Sequence, residues 1–313
     1  MELKLLSLIY MTAAHDRQHT LARAVTFAGV GLHTGVRVNL TLTPAPANTG
    51  IVFKRTDLEG FPIRASAVTV ARVSYATSLM RKGVLISTTE HLLSAIAALG
   101  VDNVCAELDN VEVPILDGSS LPIAREVLRA GLRRQRARRS WIQVVKPVEI
   151  ADGAKRIAVY PSARFAVTYS IDFEHPAIGN QTLEISPTPD NYLEQIAPAR
   201  TFGFFHEVED LRKAGLVRGG SLENAIVLSR DGVMNPEGLR FADEFCRHKV
   251  LDLIGDLALL GHPIAGHVVA HRAGHALHYT LVSRLLKSKG SWRLVDASQF
   301  ESQTSPSRAD AVA

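Results

Sequence analysis

Only two cysteines occur in 313 residues. Cys105 and Cys246 form no C-x-x-C pair and lie in apolar or helical contexts. They read as free thiols of a reducing compartment rather than a disulfide. Long apolar runs are missing too. Stretches such as Leu257–Leu260 fall far short of the ~20 residues a membrane helix needs. The P-loop pattern G-x-x-x-x-G-K-[ST], the G-x-S-x-G elbow and H-E-x-x-H are all absent, so nucleotide hydrolysis, serine hydrolysis and helical metalloprotease chemistry lose their usual support. Gly29-Val30-Gly31-Leu32-His33-Thr34-Gly35 comes near a dinucleotide loop, but its third glycine is one position late. A strand is expected after it rather than a helix, so a hairpin-type turn is the better reading.

What is present is ordinary for a globular protein: 46% hydrophobic and 21% charged residues, enough for a substantial core and for two domains or one large one. The net charge of +4 comes from one place. Residues 125–139 hold seven arginines and one glutamate, leaving the rest of the chain slightly acidic. The run lacks interleaved aromatics and any RRM or KH pattern, so no nucleic-acid partner is expected. It reads as a solvated connector between domains, with weak attraction to anionic lipid as a further hypothesis. At the N-terminus, MELKLLSLIYMTAA has too short an apolar run for a signal peptide and no A-x-A site. Met11 is an alternative start.

Alternating residues predict strands over 21–43 on either side of Gly29–Gly35, then Ile51–Arg55, a strand ending at 84–87, and Val104–Leu108. Helices are predicted over Glu90–Leu99, stopped by Gly100, and over Pro122–Leu132. After the arginine run come strands at 142–149, 156–160 and 165–172, a proline-containing loop at 186–198, a short helix Glu207–Ala214 and a glycine-rich loop to Gly220. A long helix Phe241–Leu260, a strand around Val268–Ala270 and a last helix Ala276–Lys287 complete the reading. The order is not a regular βαβα alternation. The expected fold class is α+β, with domains over 15–135 and 140–295 and a mobile tail over 296–313.

Twelve histidines require explanation. His267, His271 and His275 are spaced by four, but glycines bracket an alternating stretch there, so a strand is expected and the spacing is accidental. In the long helix, His248, Asp252 and Asp256 are spaced i, i+4, i+8 and form one polar stripe flanked by Leu251, Ile254, Leu257 and Leu260. Such a stripe inside a protein needs partners. Ion pairs, buried hydrogen bonds or a metal would each serve. Ser87-Thr88-Thr89-Glu90-His91 has two readings as well. Ser87 and Glu90 have capping-box spacing, and Glu-His at a helix start can place a base beside a ligand. Taken together, the segments offer His91, His248 and Asp252 as two imidazoles and a carboxylate. That set leaves one position open for water, the pattern of a catalytic zinc site, with Glu90 as the base.

The chain resembles the UDP-3-O-acyl-N-acetylglucosamine deacetylase family of zinc enzymes. The resemblance runs from about Gln18 to Lys287 and rests on GVGLHTG (29–35), PAPANTGIVFKRTDL (44–58), STTEHLLSAIAALGVDN (87–103), PILDGSS (114–120), ARTFGF (199–204), GLVRGGSLENAIV (215–227), RHKVLDLIGDLALLG (247–261) and AGHALHY (273–279). It implies two α+β domains of similar topology, each a sheet with two main helices, helices facing and the active site between them. It implies hydrolytic removal of the acetyl group from an acylated UDP-sugar, the committed step of lipid A biosynthesis in Gram-negative bacteria, with one Zn2+ per chain on His91, His248 and Asp252. Glu90 would be the base, His275 the general acid, Asp256 its orienting partner, Thr201 an oxyanion donor and Lys249 an electrostatic contributor. Phe202, Phe204, Leu211, Leu216 and Gly220 would shape an acyl passage, and Lys249 and Arg272 are candidates for the diphosphate. The role of His33 stays open. A monomer in the cytoplasm, touching the inner membrane at most peripherally, is expected. A metal-dependent amidohydrolase with another amide substrate and a non-enzymatic basic interaction module are the alternatives.

Overall fold

The computed structural model describes residues 16–296. The expectations about a leader, Met11 and the tail beyond 296 lie outside them. Fourteen residues near the start form a hairpin, β2 (Val25–Val30) and β3 (Arg37–Pro44), preceded by β1 (Arg17–Leu21). β4 (Ile51–Arg55), β5 (Phe61–Arg64), β6 (Val70–Arg72), β7 (Ser78–Arg81) and β8 (Val84–Ile86) follow. Then come helix α1 (Glu90–Ala98), β9 (Val104–Leu108) and helix α2 (Leu121–Ala130). Five strands make one mixed sheet in the order β2-β3-β9-β4-β5, and β6-β7-β8 make a small antiparallel one. Gly100 stops α1 with φ +75, which a side chain would resist.

The arginine run is not a connector. α2 ends at Ala130, and Leu132–Arg138 is a strand, β10, paired antiparallel with β1. Its burial alternates, so the arginines lie on exposed positions while Leu132, Gln135 and Ala137 turn inward. Charge had masked a period of two. The strands of the larger second sheet all come from after Arg139. They are β11 (Ser140–Val144), β12 (Val148–Asp152), β13 (Lys155–Tyr160), β14 (Phe165–Phe173), β15 (Gly179–Ile185), β18 (Ile264–His271) and β19 (Trp292–Asp296). β18 is central. It pairs with β13 on one edge, and on the other with β11 and then β14, both parallel. From Gly266 on its burial alternates, with His267, Val269 and His271 on the less buried face.

β16 (Phe202–Phe204), helix α3 (Phe205–Lys213) and β17 (Ile226–Leu228) form a separate excursion. Residues 186–198, expected as loop, contain a helical turn over 189–196. It starts at a Thr188 capping box and is anchored by fully buried Tyr192 and Ile196. Helix α4 (Glu244–Leu257) and helix α5 (His275–Lys287) complete the chain. α1 packs on α4 so closely that a Cβ on Gly255 would sit 2.1 Å from the Glu90 carbonyl oxygen. Among the described residues no helix is long and apolar enough to cross a membrane. Both cysteines are free thiols.

Candidate active site

The close crossing of α1 and α4 brings the site together, because only glycine lets the two backbones approach this far. Glu90 and His91, the first residues of α1, meet the stripe of α4. The expected Ser87–Glu90 capping box does not form. The Ser87 hydroxyl bonds to Ser78 (2.9 Å), and the Glu90 carboxylate instead accepts the Thr77 N–H (3.0 Å). The turn into α1 is held from elsewhere. Thr88 has φ +57, a left-handed conformation costly for a β-branched residue. Its hydroxyl donates to Glu112 (2.8 Å). Buried Glu112 also accepts the N–H groups of His33 (2.9 Å) and Thr34 (2.8 Å), and so ties the Gly29–Gly35 turn to the start of α1.

His91, His248 and Asp252 form one buried cluster, their ligand atoms all within 4.8 Å of one another. The His248 Nε2 lies 3.3 Å and the His91 Nε2 3.7 Å from the same Asp252 oxygen, Oδ1. Two atoms on one zinc at bonds of ~2.0–2.1 Å and tetrahedral angles stand about 3.3 Å apart. Asp252 Oδ1 has no hydrogen-bond partner although buried, and an unpartnered buried carboxylate oxygen is costly. His248 Nδ1 donates to the Ala199 carbonyl (3.1 Å), which leaves Nε2 as the free lone pair, the usual outer arrangement of a metal-binding histidine. These residues fit a divalent cation. Lys249 Nζ bonds the other Asp252 oxygen (2.9 Å). Although burial pushes the Asp252 carboxyl up, His248 and Lys249 hold it below the usual carboxylate range. Burial lowers both imidazoles, His91 to about 3. The cluster is thus an anion and two neutral imidazoles, as metal ligation requires.

On the open side stand His275 and Glu90. His275, first residue of α5, presents Nε2 3.9 Å from Glu90 Oε1 and from Asp252 Oδ2. Its Nδ1 is 2.7 Å from Asp256 Oδ2, which also receives His278 Nδ1 (2.8 Å). Burial disfavours a charged His275, but the Asp256 and Asp252 carboxylates outweigh it and raise it to about 9. Asp256 falls to about 2 against its own burial, through the charge and hydrogen bond of His275. Burial raises Glu90 to about 7. Asp256, His275 and His278 also lie close together, but the atoms that face one another are already hydrogen-bonded, and His278 Nε2 continues to the hydroxyl of buried Tyr169 (2.9 Å).

These groups open into a cleft of about 360 Å³ that Thr201, Phe202 and Lys249 also line. Thr201 is pinned through its backbone to Gly118 and Ile226. The Lys249 ammonium stands 5.5 Å over the Phe202 ring. Phe204, Leu211, Leu216, Gly220 and Arg272 do not line this cleft. Phe204 packs on Phe173 and His175. Arg272 pairs with Asp172 at 3.4 Å. Leu216 and Gly220 flank a loop seated on the Gly29–Gly35 turn, where the Gly219 N–H bonds to the Leu32 carbonyl and the Arg218 N–H to that of His33. His33 is therefore a buried part of that joint. His267 and His271 lie on β18, away from any metal cluster, as the strand reading required. Sequence reasoning missed Thr77, Glu112, His278 and the cleft-lining Lys155. None stands in a local pattern that distinguishes it. A second cavity, of about 410 Å³, lies at the far ends of α1 and α4 and contains none of these groups.

Two neutral imidazoles and a carboxylate around one point, with a second carboxylate and an imidazolium beside it, are a donor set that suits a metal-dependent hydrolase. The family model described as LpxC, UDP-3-O-acyl N-acetylglycosamine deacetylase, matches residues 18–287. The UDP-3-O-acyl-N-acetylglucosamine deacetylase of Solibacter usitatus is 51% identical over 285 residues, 91% of this chain and 96% of that protein. Those of Myxococcus xanthus (46% over 292 residues, 93% of each) and Syntrophotalea carbinolica (43% over 289 residues, 92% and 94%) are similar throughout as well. The chain belongs to the LpxC deacetylase family. Its reaction is that family's, deacetylation of UDP-3-O-acyl-N-acetylglucosamine in lipid A biosynthesis.

Proposed function

We propose that the acetamide is hydrolysed by water with Glu90 as base and His275 as acid, at a site where His91, His248 and Asp252 would hold a single zinc ion. The observation that carries this reading is the bare Asp252 Oδ1 facing two imidazole nitrogens at 3.3 and 3.7 Å, with Glu90 and His275 beside it. Zinc held there would supply Lewis acidity towards the acetyl carbonyl and the attacking water. Imidazole and carboxylate ligands suit zinc, and would also accept iron(II) or cobalt.

Glu90 takes the proton of the attacking water, for which it must be ionised. The Thr201 hydroxyl, free of hydrogen bonds to the described residues, donates to the oxyanion. His275 gives its Nε2 proton to the leaving nitrogen, so that the intermediate collapses to amine and acetate. Asp256 fixes the ring through Nδ1 and favours its cation. Lys249 balances the charge of Asp252 and, with Lys155, offers cations towards a diphosphate, a task for which Arg272 is already engaged by Asp172. The 3-O-acyl chain leaves the cleft past Phe202 towards Phe173, Phe204 and the α3 segment with Leu211, Leu216 and Gly220. The chain acts as a single copy in the cytoplasm, with at most peripheral contact to the inner membrane through its arginine-bearing strand.

The test is acetate release from the 3-O-acylated and the non-acylated UDP-N-acetylglucosamine, before and after chelation. Activity on the acylated substrate should vanish on chelation and return with zinc. Equal rates on both substrates would remove the acyl passage, and chelator-insensitive activity would remove the metal.

A further inference from the structure

We propose that Thr77 is the positioning residue that sets the base and the acid of this site at a fixed separation, an inference that rests on the assignment of those two roles to Glu90 and His275. Thr77 stands in the turn before β7 and is 1% exposed. Each of its polar atoms meets a different part of the machinery. Its N–H donates to Glu90 Oε2 (3.0 Å), its hydroxyl donates to Asp256 Oδ1 (2.6 Å), and its carbonyl accepts both the Thr89 hydroxyl (3.0 Å) and the Thr89 N–H (3.2 Å). Glu90 begins α1 and Asp256 closes the stripe of α4, so this one residue spans the crossing.

The donors can be assigned. A carboxylate only accepts, so the single hydroxyl proton lies on the 2.6 Å contact to Asp256, not on the 3.3 Å contact to His275 Nδ1. That bond occupies Oδ1 and leaves Oδ2 to His275 and His278. A carboxylate held at both oxygens cannot rotate, so the His275 ring is aimed and its Nε2 faces the cleft. The Thr77 N–H likewise claims Oε2 of Glu90 and leaves Oε1 towards the cleft, 3.9 Å from that Nε2. Because Thr89 grips the Thr77 carbonyl, turn and helix start move as one body. The hydrogen bonds of Thr77 go to Glu90, Asp256, His275 and Thr89 and to none of the three metal-cluster residues, so losing its hydroxyl leaves the cation site standing.

The experiment compares Thr77→Val, of equal shape without the hydroxyl, with Thr77→Ser, which keeps it; Thr77→Ala takes the place of Val should that variant fold poorly. All three backbone bonds survive in every variant. The metal-loaded proteins are assayed for kcat and KM on the acylated UDP-sugar and for metal content. The His275 Nδ1–H resonance is followed in 15N-histidine-labelled protein. A hydrogen bond to a charged acceptor is at stake, so Val should lose roughly 10- to 100-fold in kcat. KM and metal content should be unchanged and the Nδ1–H resonance should be displaced or lost, while Ser restores kcat and resonance together. A Val variant with wild-type kcat and resonance, a Ser variant as impaired as Val, or loss of metal in step with kcat would overturn the proposal. Should the unaltered protein release no acetate, the assignment of base and acid fails, and the resonance still decides whether Thr77 orients the imidazole.

Discussion

Gly255→Ala tests the contact on which the site is built. Alanine is the better helix former by about 1 kcal/mol, so α4 in isolation would gain. In the folded protein the added Cβ falls 2.1 Å from the Glu90 carbonyl oxygen and 2.9 Å from its carbonyl carbon. Both are backbone atoms and cannot swing aside, so the crossing must open by about 1 Å to reach van der Waals distance. Overpacking of this kind costs about 1–3 kcal/mol, leaving a net loss of about 0–2 kcal/mol. Function suffers more than stability, because the part that moves carries Glu90 and His91 away from His248 and Asp252. A misplacement near 1 Å costs about 100-fold in turnover. Metal affinity, by chelator competition, should fall alongside. Gly232→Ala, whose Cβ meets nothing within 4 Å, is the control for a glycine change as such. A Gly255→Ala protein with wild-type kcat and metal affinity would refute the reasoning, whatever its melting temperature.

Glu90→Gln should keep its metal, because the carboxylate is outside the ligand cluster, and lose about 100- to 10,000-fold in acetate release. Asp252→Ala should lose the metal itself, measured by elemental analysis after dialysis. His275→Ala should retain the metal and flatten the alkaline limb of the rate profile. The raised group, at about 9, is protonated below that pH and loses its proton, and the rate with it, as pH rises through it. A variant that still showed that limb would assign it elsewhere. Glu244→Ala should lower stability by about 1–3 kcal/mol in urea, because the buried Arg200 Nε (2.9 Å) and backbone N–H (3.0 Å) lose their acceptor while Glu237 still pairs the guanidinium.

The sequence by itself determined most elements and which polar side chains share one face. The stripe His248–Asp252–Asp256, the glycine stops at 100 and 261 and the strand character of the His267–His271 stretch all follow from local periods of 3.6 and 2. Where it failed, a residue had two uses. The arginines hid a strand because exposed positions carry no hydrophobic signal. Glu90 left its capping box because Thr77, thirteen positions earlier, offers its carboxylate a buried donor. Only the tertiary structure decided that the start of α1 meets α4, that Thr77 and His278 saturate Asp256, and that the loop at 215–220 seats on the turn at 29–35. Each is a contact between segments distant in the chain. Periodicity records which face of an element is buried, whereas the partner of that face is fixed by packing, here by the one helix glycine against which the Glu90 backbone can lie.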